Sequence, residues 1–524
     1  MKYMELEQDV KLWFKNLNPT IKKSFWLSLV LINVAFLFHT VNFMFGDHDW
    51  LYVRYANHWD EGSFEGRPLH FVLQSLFFGG HVLPILNNLF SFVALTISGL
   101  LLARYWQIPL STFKYTLFTV FVAVLPLTLV WLFYAKDTLI NLSLPLIVIG
   151  ALSLAELPFS RKYINAHALG LLLFYFAFTS YAAVLNLIGV CLIGRMLIEY
   201  ANGKSLTSMI KGKIPVAIEI LLALLFFKVT LANINLASDY NTKTIPLDIL
   251  ADKLTETILV MFSQFTTPIP FMEYKYKLLL LALCLLGIGS LLYKSKMVKW
   301  PLILVLLIAI LFSSKLAFFL ADERGQELAE MENFAFVPRL DFYGLSYIYA
   351  LGLALTLTYT SGRWYKICAI LGIAVTFMSG VRDMYAQKVW KFGFDAEMKA
   401  HERIVGRMEQ LPSFRADGKY RILQIGTLSL RKNFYKNVGN EEISLDLLET
   451  SFTPKSMSRI VYNFYYPEEI FYNNASIGDL STYGKELLKK AKVWPLPGSI
   501  FIDGDIVVVV LTEEGLEIAK KELQ

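Results

Sequence analysis

The sequence predicts a polytopic α-helical membrane protein, on the evidence of its composition, the length of its apolar runs and the spacing of its charges. Of the 524 residues, 55% are hydrophobic, and the mean hydropathy is +0.48. The apolar residues occur in long uninterrupted runs, such as Leu278–Leu292 and Pro301–Phe312. A transmembrane helix needs about 20 predominantly apolar residues, and repeated windows in the first two-thirds of the chain meet this requirement.

Eleven segments have the length and composition of membrane spans. They lie at 25–45, 81–103, 113–133, 138–157, 165–180, 181–200, 214–233, 276–293, 300–320, 342–360 and 366–385. The stretch Pro68–Gly79 is too short and too polar to cross, so we predict a helix that lies on the membrane surface. Residues 1–24 are basic and amphipathic, which predicts a helix anchored at the cytoplasmic interface.

Lysine and arginine are distributed unevenly between the loops, and this bias predicts the orientation. The loops of one set contain almost no acids, and their basic residues are Lys11, Lys15, Lys22, Lys23, Arg104, Arg161, Lys162, Lys204, Lys211, Lys213, Lys294, Lys296, Lys299, Arg363 and Lys366. They alternate with mixed-charge loops at 46–70, 134–137, 234–275 and 321–341. Because cytoplasmic loops carry the excess of Lys and Arg, the first set is predicted to be inside and the second outside.

Residues 386–524 predict a small α/β domain instead of further spans. Tyr420–Ile425 and Ile506–Leu511 have the composition of strands, and two β-type runs flank Asp503-Gly504, which predicts a hairpin. An odd number of spans places this region outside. The predicted organisation is a cytoplasmic N-terminal helix at 1–24, a membrane domain at 25–385 with its first outer loop at 46–80, and an extracytoplasmic α/β domain at 386–524.

Composition and motifs exclude several classes of protein. The net charge is +6, but the basic residues cluster in short loops between spans, so no nucleic-acid partner is predicted. The cysteines, Cys191, Cys284 and Cys368, all fall in apolar segments, which argues against a disulfide framework. No P-loop, GxSxG or dinucleotide motif occurs in a plausible context, so nucleotide-driven transport and serine hydrolysis have no support.

The densest group of ionisable residues, Gly46–His70, follows the first predicted span. Its 25 residues include Asp47, Asp49, Asp60, Glu61, Glu65, His48, His58, His70, Arg54 and Arg67. Asp47 or Asp49 could act as a general base toward an acceptor hydroxyl, with the other aspartate orienting it or holding a cation. An ordinary solvated interfacial loop is the simpler interpretation. The charge density beside Trp50 and Trp59, which suit sugar stacking or the membrane interface, favours a functional one.

A divalent metal is the second possibility for this loop. His48 lies between the two aspartates and His58 is nearby, so these side chains could supply ligands. No HxxxH or HExxH spacing supports such a site. We therefore predict no cofactor and no protein-held metal, with a divalent ion as the open alternative.

Basic residues of the predicted outer loops form a second group. They are Arg54, Arg67, Lys136, Lys315, Arg324 and Arg339. A lipid phosphate at the outer leaflet needs cationic partners, and arginine offers bidentate contacts. Snorkelling and local ion pairing would explain most of these residues one at a time. Lys315 is harder to explain in this way, because a lysine within an apolar helix points to function.

Several short motifs occur in a characteristic order along nearly the whole chain. GDHDWLYVR and then EGRPL follow the first span, Ser180–Tyr181 separates two spans, Pro338–Arg339 precedes a late span, and WPLPGSIFIDGDIVVVVL lies near the C-terminus. In these features the chain resembles the type II glucosyl transferases of bacteria and their phages, the serotype-converting enzymes that modify O-antigen. It departs from their pattern where His48 separates the two acids and where Val509–Val510 replace a typical lysine.

The resemblance implies a GT-C-like fold and a glycosyltransferase of the bacterial inner membrane. The donor would be a sugar on undecaprenyl phosphate, with glucose as the first candidate. The acceptor would be a lipid-linked or lipopolysaccharide glycan at the periplasmic face. Transfer would invert the anomeric centre, with Asp49 or Asp47 as base. The six basic residues above would bind the donor phosphate, and the sugar or acceptor contacts would be Trp50, Trp59, Glu65 and Tyr181. Such an enzyme works among membrane lipids, coupled to a donor synthase and a flippase.

Two other function classes stay open. A transporter or flippase for lipid-linked saccharides would need charges at mid-membrane, and apart from Lys228 and Lys315 the spans have few such groups. An O-antigen polymerase or ligase would carry a large loop between late spans. Here the soluble mass is C-terminal and the acids follow the first span.

Overall fold

The computed structural model describes residues 17–42, 44, 67–79, 81, 83–132, 137–233, 250–265, 274–320, 342–427, 458–466 and 468–523. The chain divides into two compact units. The membrane unit comprises residues 1–41, 57–132 and 137–384, and the C-terminal unit comprises residues 42–56, 133–136 and 385–524. The greater part of the predicted N-terminal helix and of the first outer loop lies outside the described residues.

Fifteen helices occur in the described residues up to Glu409. In chain order they are α1 (Pro19–Val41), α2 (Pro68–Phe78), α3 (Pro84–Tyr105), α4 (Thr112–Ala123), α5 (Thr128–Leu132), α6 (Thr138–Ala155), α7 (Ile164–Ser180), α8 (Val184–Ala201), α9 (Leu206–Ala232), α10 (Leu250–Ser263), α11 (Tyr274–Lys294), α12 (Trp300–Ser313), α13 (Leu316–Phe319), α14 (Leu345–Tyr359) and α15 (Gly362–Glu409). The last is a single helix of 48 residues that belongs to both units.

The helical membrane-protein class is confirmed at the level of helix length and composition. In the described part of the chain, eight helices are long and apolar enough to cross a bilayer. Three shorter apolar helices, Thr112–Ala123, Met297–Ser313 and Leu345–Tyr359, lie in the other three segments predicted to span. Pro68–Phe78 is helical as predicted.

Hydrogen bonds bring together the termini of several of these helices. Ser24 Oγ donates to Thr112 O (3.3 Å), Lys114 Nζ to Leu357 O (2.6 Å), Tyr105 Oη to Glu156 Oε1 (2.6 Å) and Lys299 Nζ to Tyr200 O (3.0 Å). These contacts lie at one end of the bundle, which we call the Glu199 end. The opposite end, where α7 stops and α8 begins, is called the Tyr181 end. Three of the basic residues predicted to be cytoplasmic, Lys204, Lys213 and Lys299, contact Glu199 or Tyr200 at the Glu199 end.

Two segments predicted as single spans are interrupted near the Tyr181 end. The segment 113–133 forms α4 and α5, and Pro126 lies in the break because it lacks an N–H and restricts the residue before it. The segment 300–320 forms α12 and α13. There Ser313 and Ser314 donate their hydroxyls to the carbonyls of Ile310 and Leu311, an alternative to continued helical pairing.

The predicted outer loop 234–275 contains an amphipathic helix that the sequence analysis missed. Helix α10 packs against α12 and α13. Its buried positions include Lys253 and Thr257, four residues apart, so polar groups occupy part of the face that hydrophobic periodicity would have to identify. Hydrophobic periodicity therefore did not predict this helix, because its buried face contains polar as well as apolar side chains.

The C-terminal unit contains a four-stranded mixed sheet. Its strands are β1 (Tyr420–Ile425), β2 (Phe471–Asn474), β3 (Ile500–Asp503) and β4 (Ile506–Val510), in the order β2-β1-β4-β3. The predicted hairpin is present: β3 and β4 are antiparallel, and Gly504, at φ +63°, lies in the two-residue turn. The unit also contains helices α16 (Ser458–Asn463), α17 (Thr482–Lys490) and α18 (Glu513–Glu522).

Strand β4 is a core strand. All five of its residues are buried, and alternate positions pack into hydrophobic clusters on the two faces of the sheet. Val509 belongs to one cluster and Val510 to the other. The two valines that replace a typical lysine of the resembled family therefore stabilise the sheet.

Helices α11 and α14 approach closely because glycines face each other. A Cβ at Gly287 would overlap the carbonyl oxygen of Gly352, and a Cβ at Gly352 would overlap Cys284. Small residues allow helix backbones to approach in membranes, where packing and not the hydrophobic effect drives association. This contact holds α14 in place, and α14 begins at the Tyr181 end.

We expect Gly287→Ala to destabilise the protein by about 1–3 kcal/mol, the usual cost of overpacking. Thermal unfolding of purified protein in detergent measures the effect. Gly289→Ala is the matched control, because a Cβ at Gly289 meets nothing within 4 Å. Equal shifts for the two variants would contradict the close approach.

Candidate functional site

Aromatic rings and one guanidinium form a cluster at the Tyr181 end. The Arg67 guanidinium carbon lies 4.9 Å from the centre of the Tyr181 ring. Tyr181 lies 5.4 Å from Trp131 and 5.7 Å from Tyr343, and Phe342 lies 4.9 Å from Tyr343, all between ring centroids. A cation over an aromatic face is attracted by the ring quadrupole. The cluster thus brings together two residues predicted for the site, Arg67 and Tyr181.

Helix termini position these side chains. Tyr181 has an extended backbone, φ −161°, at the C-terminus of α7, and Arg67 directly precedes α2. Trp131 lies in the short helix α5, and Phe342 and Tyr343 precede α14. Non-helical backbone at membrane depth is tolerated only where protein buries it or where it lines a polar cavity. The convergence of several helix termini therefore indicates a candidate functional site.

A buried polar group lies beneath the rings. Tyr343 Oη is 2.9 Å from the carbonyl oxygen and 3.2 Å from Oδ1 of Asn141, within hydrogen-bond distance of both. Asn141 Nδ2 donates to the carbonyl of Asp137 at 3.0 Å, and Asp137 is itself buried. Asp137 is thus connected to the Tyr343 hydroxyl through Asn141.

Lys315 lies in the break between α12 and α13 and is 3% exposed. Asn186 of α8 accepts a 2.7 Å hydrogen bond from the Ala317 backbone N–H, which caps the short helix from a neighbouring element. A Cβ at Gly344 would overlap Ser314 O, so the break packs against the residue that follows Tyr343. Tertiary contacts thus place the backbone of Lys315 beside the aromatic cluster.

A second buried lysine belongs to this region and was not predicted. Lys253 of α10 is fully buried, with Nζ 5.2 Å from the centre of the Phe318 ring and 3.3 Å from Glu256 Oε2. Phe318 is in α13, three residues after Lys315. In the sequence, Lys253 lies in an amphipathic segment of a predicted outer loop. Lysines are common on solvated helices, so this position did not indicate a buried side chain.

The helices that end at this cluster are short. Helices α4, α12 and α14 have 12, 14 and 15 residues, or about 18 to 23 Å at the helical rise per residue. A full crossing of the hydrocarbon core needs about 30 Å. Tyr181, in contrast, follows a 20-residue segment that is long enough to cross, so the cluster joins the ends of short and full-length helices.

An ion network occupies the Glu199 end, and sequence reasoning missed it. Arg195 Nε lies 2.9 Å from Glu199 Oε1, and Lys213 Nζ lies 3.7 Å from the same oxygen. Lys213 also contacts Glu156, which accepts the hydrogen bond from Tyr105. The spacing of Arg195 and Glu199 on α8 was the available signal, since residues four apart share a helix face. The network ties α3, α6, α8 and α9 together.

The C-terminal unit has its own exposed ion cluster. Arg421 contacts both carboxylate oxygens of Asp505, at 3.0 and 3.1 Å, and Tyr472 Oη donates to Asp505 at 2.7 Å. The Arg421 and Tyr472 hydrogen bonds hold the pKa of the Asp505 carboxyl below its usual range. These bonds cross-link β1, β2 and the hairpin turn, which is a structural role.

The predicted site residues divide into three that the structure describes and a larger set that it does not. Arg67 and Tyr181 are in contact, and Lys315 is joined to them through Ser314, Gly344 and the aromatic rings. The predicted residues outside the described ranges are Asp47, Asp49, Trp50, Arg54, Trp59, Glu65, Lys136, Arg324 and Arg339. Within the described ranges, no group of three or more His, Cys, Asp or Glu is arranged to hold a metal ion.

Comparisons of the chain with protein-family models, with curated proteins and with solved structures gave no match. The interpretation of the site therefore rests on the chemistry and placement of the residues themselves.

We expect Tyr343→Phe to destabilise the protein by about 1 kcal/mol, the usual net value of one buried hydrogen bond. Asn141→Ala keeps the backbone carbonyl that accepts the 2.9 Å bond, so Tyr343→Phe should remain destabilising in that background. Thermal unfolding measures both effects.

Tyr347→Phe is the matched control for Tyr343→Phe. Tyr347 is also buried, and its hydroxyl has no hydrogen-bond partner among the described residues. Its substitution should not destabilise the protein. A Tyr343→Phe variant as stable as wild type would show that the bond is unimportant.

We expect Glu199→Gln to destabilise the protein by about 1–3 kcal/mol, because it removes a buried carboxylate from Lys213 and Arg195, both of which keep Glu156 as a partner. Glu486→Gln is the control, since it breaks an exposed pair with Lys489 (2.9 Å) and should have no measurable effect. Thermal unfolding compares the two. A Glu199→Gln variant as stable as wild type would show that the network does not hold the bundle together.

Proposed function

We propose that this chain is an integral-membrane glycosyltransferase. It moves a sugar from a polyprenyl-phosphate donor to O-antigen or a related surface glycan at the periplasmic face of the bacterial inner membrane. Glucose is the sugar that we propose. All eleven apolar segments cross in a GT-C-like arrangement, with the N-terminus in the cytoplasm and the C-terminal unit in the periplasm. The observation that carries the proposal is the aromatic and cationic cluster at the Tyr181 end, built from the termini of interrupted helices.

The cluster has the chemistry that such a donor requires. Aromatic faces bind the apolar side of a sugar ring, and Tyr181 is the partly exposed ring of the cluster, whereas Trp131 is fully buried. Arginine and lysine stabilise a phosphate, and both Arg67 and the backbone of Lys315 lie beside the cluster.

Sugar transfer in this site is a single displacement. Asp49 or Asp47 removes the proton of an acceptor hydroxyl as its oxygen attacks the anomeric carbon. The bond from that carbon to the phosphate oxygen breaks, and the polyprenyl phosphate leaves with the additional negative charge. Arg67 and Lys315, with the other predicted cations, stabilise this charge. Attack opposite the leaving group inverts the centre, and the activated donor supplies the free energy.

A transporter or flippase of lipid-linked saccharides is the second candidate function, and one observation favours it. The membrane unit buries more ionisable groups than the sequence suggested, including the pair His167 Nδ1 and Glu219 Oε1 at 2.7 Å. Lys228, one of the two intramembrane charges named from the sequence, is exposed instead. A transporter would have to open the ion network at the Glu199 end in each cycle, whereas a transferase keeps it closed.

Replacing the catalytic carboxylate should abolish sugar transfer and leave folding intact. We expect Asp49→Asn or Asp47→Asn to lower the rate by about 10²-fold or more, the usual contribution of a general base. The assay uses purified protein in liposomes, with synthetic undecaprenyl-phosphate glucose and a lipid-linked glycan. Asp417→Asn, which alters an exposed acid of the C-terminal unit, is the control.

The same assay separates the alternatives. Full activity of both aspartate variants would remove the first outer loop from the mechanism. Loss of activity on adding a chelator would indicate a divalent metal. Movement of donor across the bilayer by wild-type protein, without transfer to acceptor, would favour the transporter.

A further inference from the structure

A recess lies between α11 and α15 near the Tyr181 end of the membrane unit. Its lining residues are Tyr276, Leu279, Val375, Met378, Ser379 and Arg382. None of the six belongs to the aromatic cluster around Tyr181. The recess is therefore a second feature, and the proposed transfer reaction does not use it.

The polar part of the recess is cationic. Arg382 Nη2 donates to Tyr276 Oη at 3.2 Å, and its guanidinium carbon lies 4.8 Å from the centre of the same ring. Lys275 Nζ lies 5.4 Å from that ring. Two cations thus share one tyrosine, and the hydrogen bond fixes the direction of the guanidinium.

The surface beside the recess is apolar. On α15, exposed apolar side chains recur every three or four residues, at Trp364, Ile367, Ile370, Ile373, Phe377 and Val381. Such a stripe on a membrane helix faces lipid. Met378 and Arg382 directly follow Phe377 and Val381 of this stripe, so the recess borders the lipid-facing surface. Leu279 and Val375 are the apolar residues that line it.

The depth of the cations suits a lipid headgroup. Arg382 lies 20 residues after Gly362, at the start of α15, or about 30 Å at the helical rise, which equals the thickness of the hydrocarbon core. Tyr276 lies in the first turn of α11. Both side chains are thus at the level where Tyr and Arg anchor a helix at the interface.

We propose that this recess binds an anionic phospholipid of the leaflet at the Tyr181 end. The phosphate contacts Arg382 and Lys275, because guanidinium and phosphate form paired charge-assisted hydrogen bonds. One acyl chain lies along Leu279, Val375 and Met378. Interfacial snorkelling would account for the arginine, but it does not require a small, buried Ser379 beneath it.

Native mass spectrometry of protein released from mixed-lipid nanodiscs tests this site. With phosphatidylglycerol and phosphatidylcholine of matched chains in equal amounts, wild type should retain several-fold more phosphatidylglycerol. Arg382→Gln should lose most of this preference. Arg363→Gln, an exposed arginine in the first turn of the same helix, should keep it.

A second variant tests the recess without changing charge. Ser379→Leu fills the space beneath the headgroup and should also lower phosphatidylglycerol retention, which covers the case in which Arg382→Gln fails to fold. Equal retention of the two lipids by wild type, or an unchanged preference in a folded Arg382→Gln or Ser379→Leu variant, would overturn the proposal. So would displacement of phosphatidylglycerol by an equal amount of undecaprenyl phosphate, which would assign the recess to the donor.

Discussion

The requirement that backbone polar groups be hydrogen-bonded within a bilayer governs the rest of the structure. It makes the apolar segments helical and restricts helix breaks to places where other elements satisfy the backbone. The break before α13 illustrates this, because Asn186 of α8 accepts the Ala317 N–H. The breaks near Pro126, Tyr181 and Lys315 converge at one end of the bundle, and the aromatic cluster forms there for that reason.

The two ends of the membrane unit use charge differently. At the Glu199 end, glutamates and cations contact one another, so the charges stabilise the bundle. At the Tyr181 end, Arg67 lies against an aromatic face and Lys315 terminates a helix break. Arg382, on the lipid-facing side, also lies against a tyrosine ring.

Hydrophobic pattern was a reliable guide where a residue's environment follows from its neighbours along the chain. It located the helical segments, the strand Tyr420–Ile425 and the hairpin at Gly504, because bilayer length and turn chemistry are local constraints. It failed for α10, whose inner face includes Lys253, and for the break at Lys315, where serine hydroxyls compete with the helix. It also missed the contact of Glu156 with Lys213, which are distant in sequence.

The sequence by itself determined the helical class, the location of the apolar helices and the presence of a separate sheet-containing unit. These depend on run length, charge bias and period, all of which are properties of contiguous residues. Only the tertiary structure decided that Arg67 lies over Tyr181, that Tyr343 bonds to Asn141 and that Glu199 joins several cations. Such contacts depend on which helix termini meet, and that is settled by close packing such as Gly287 against Gly352, which no local pattern encodes.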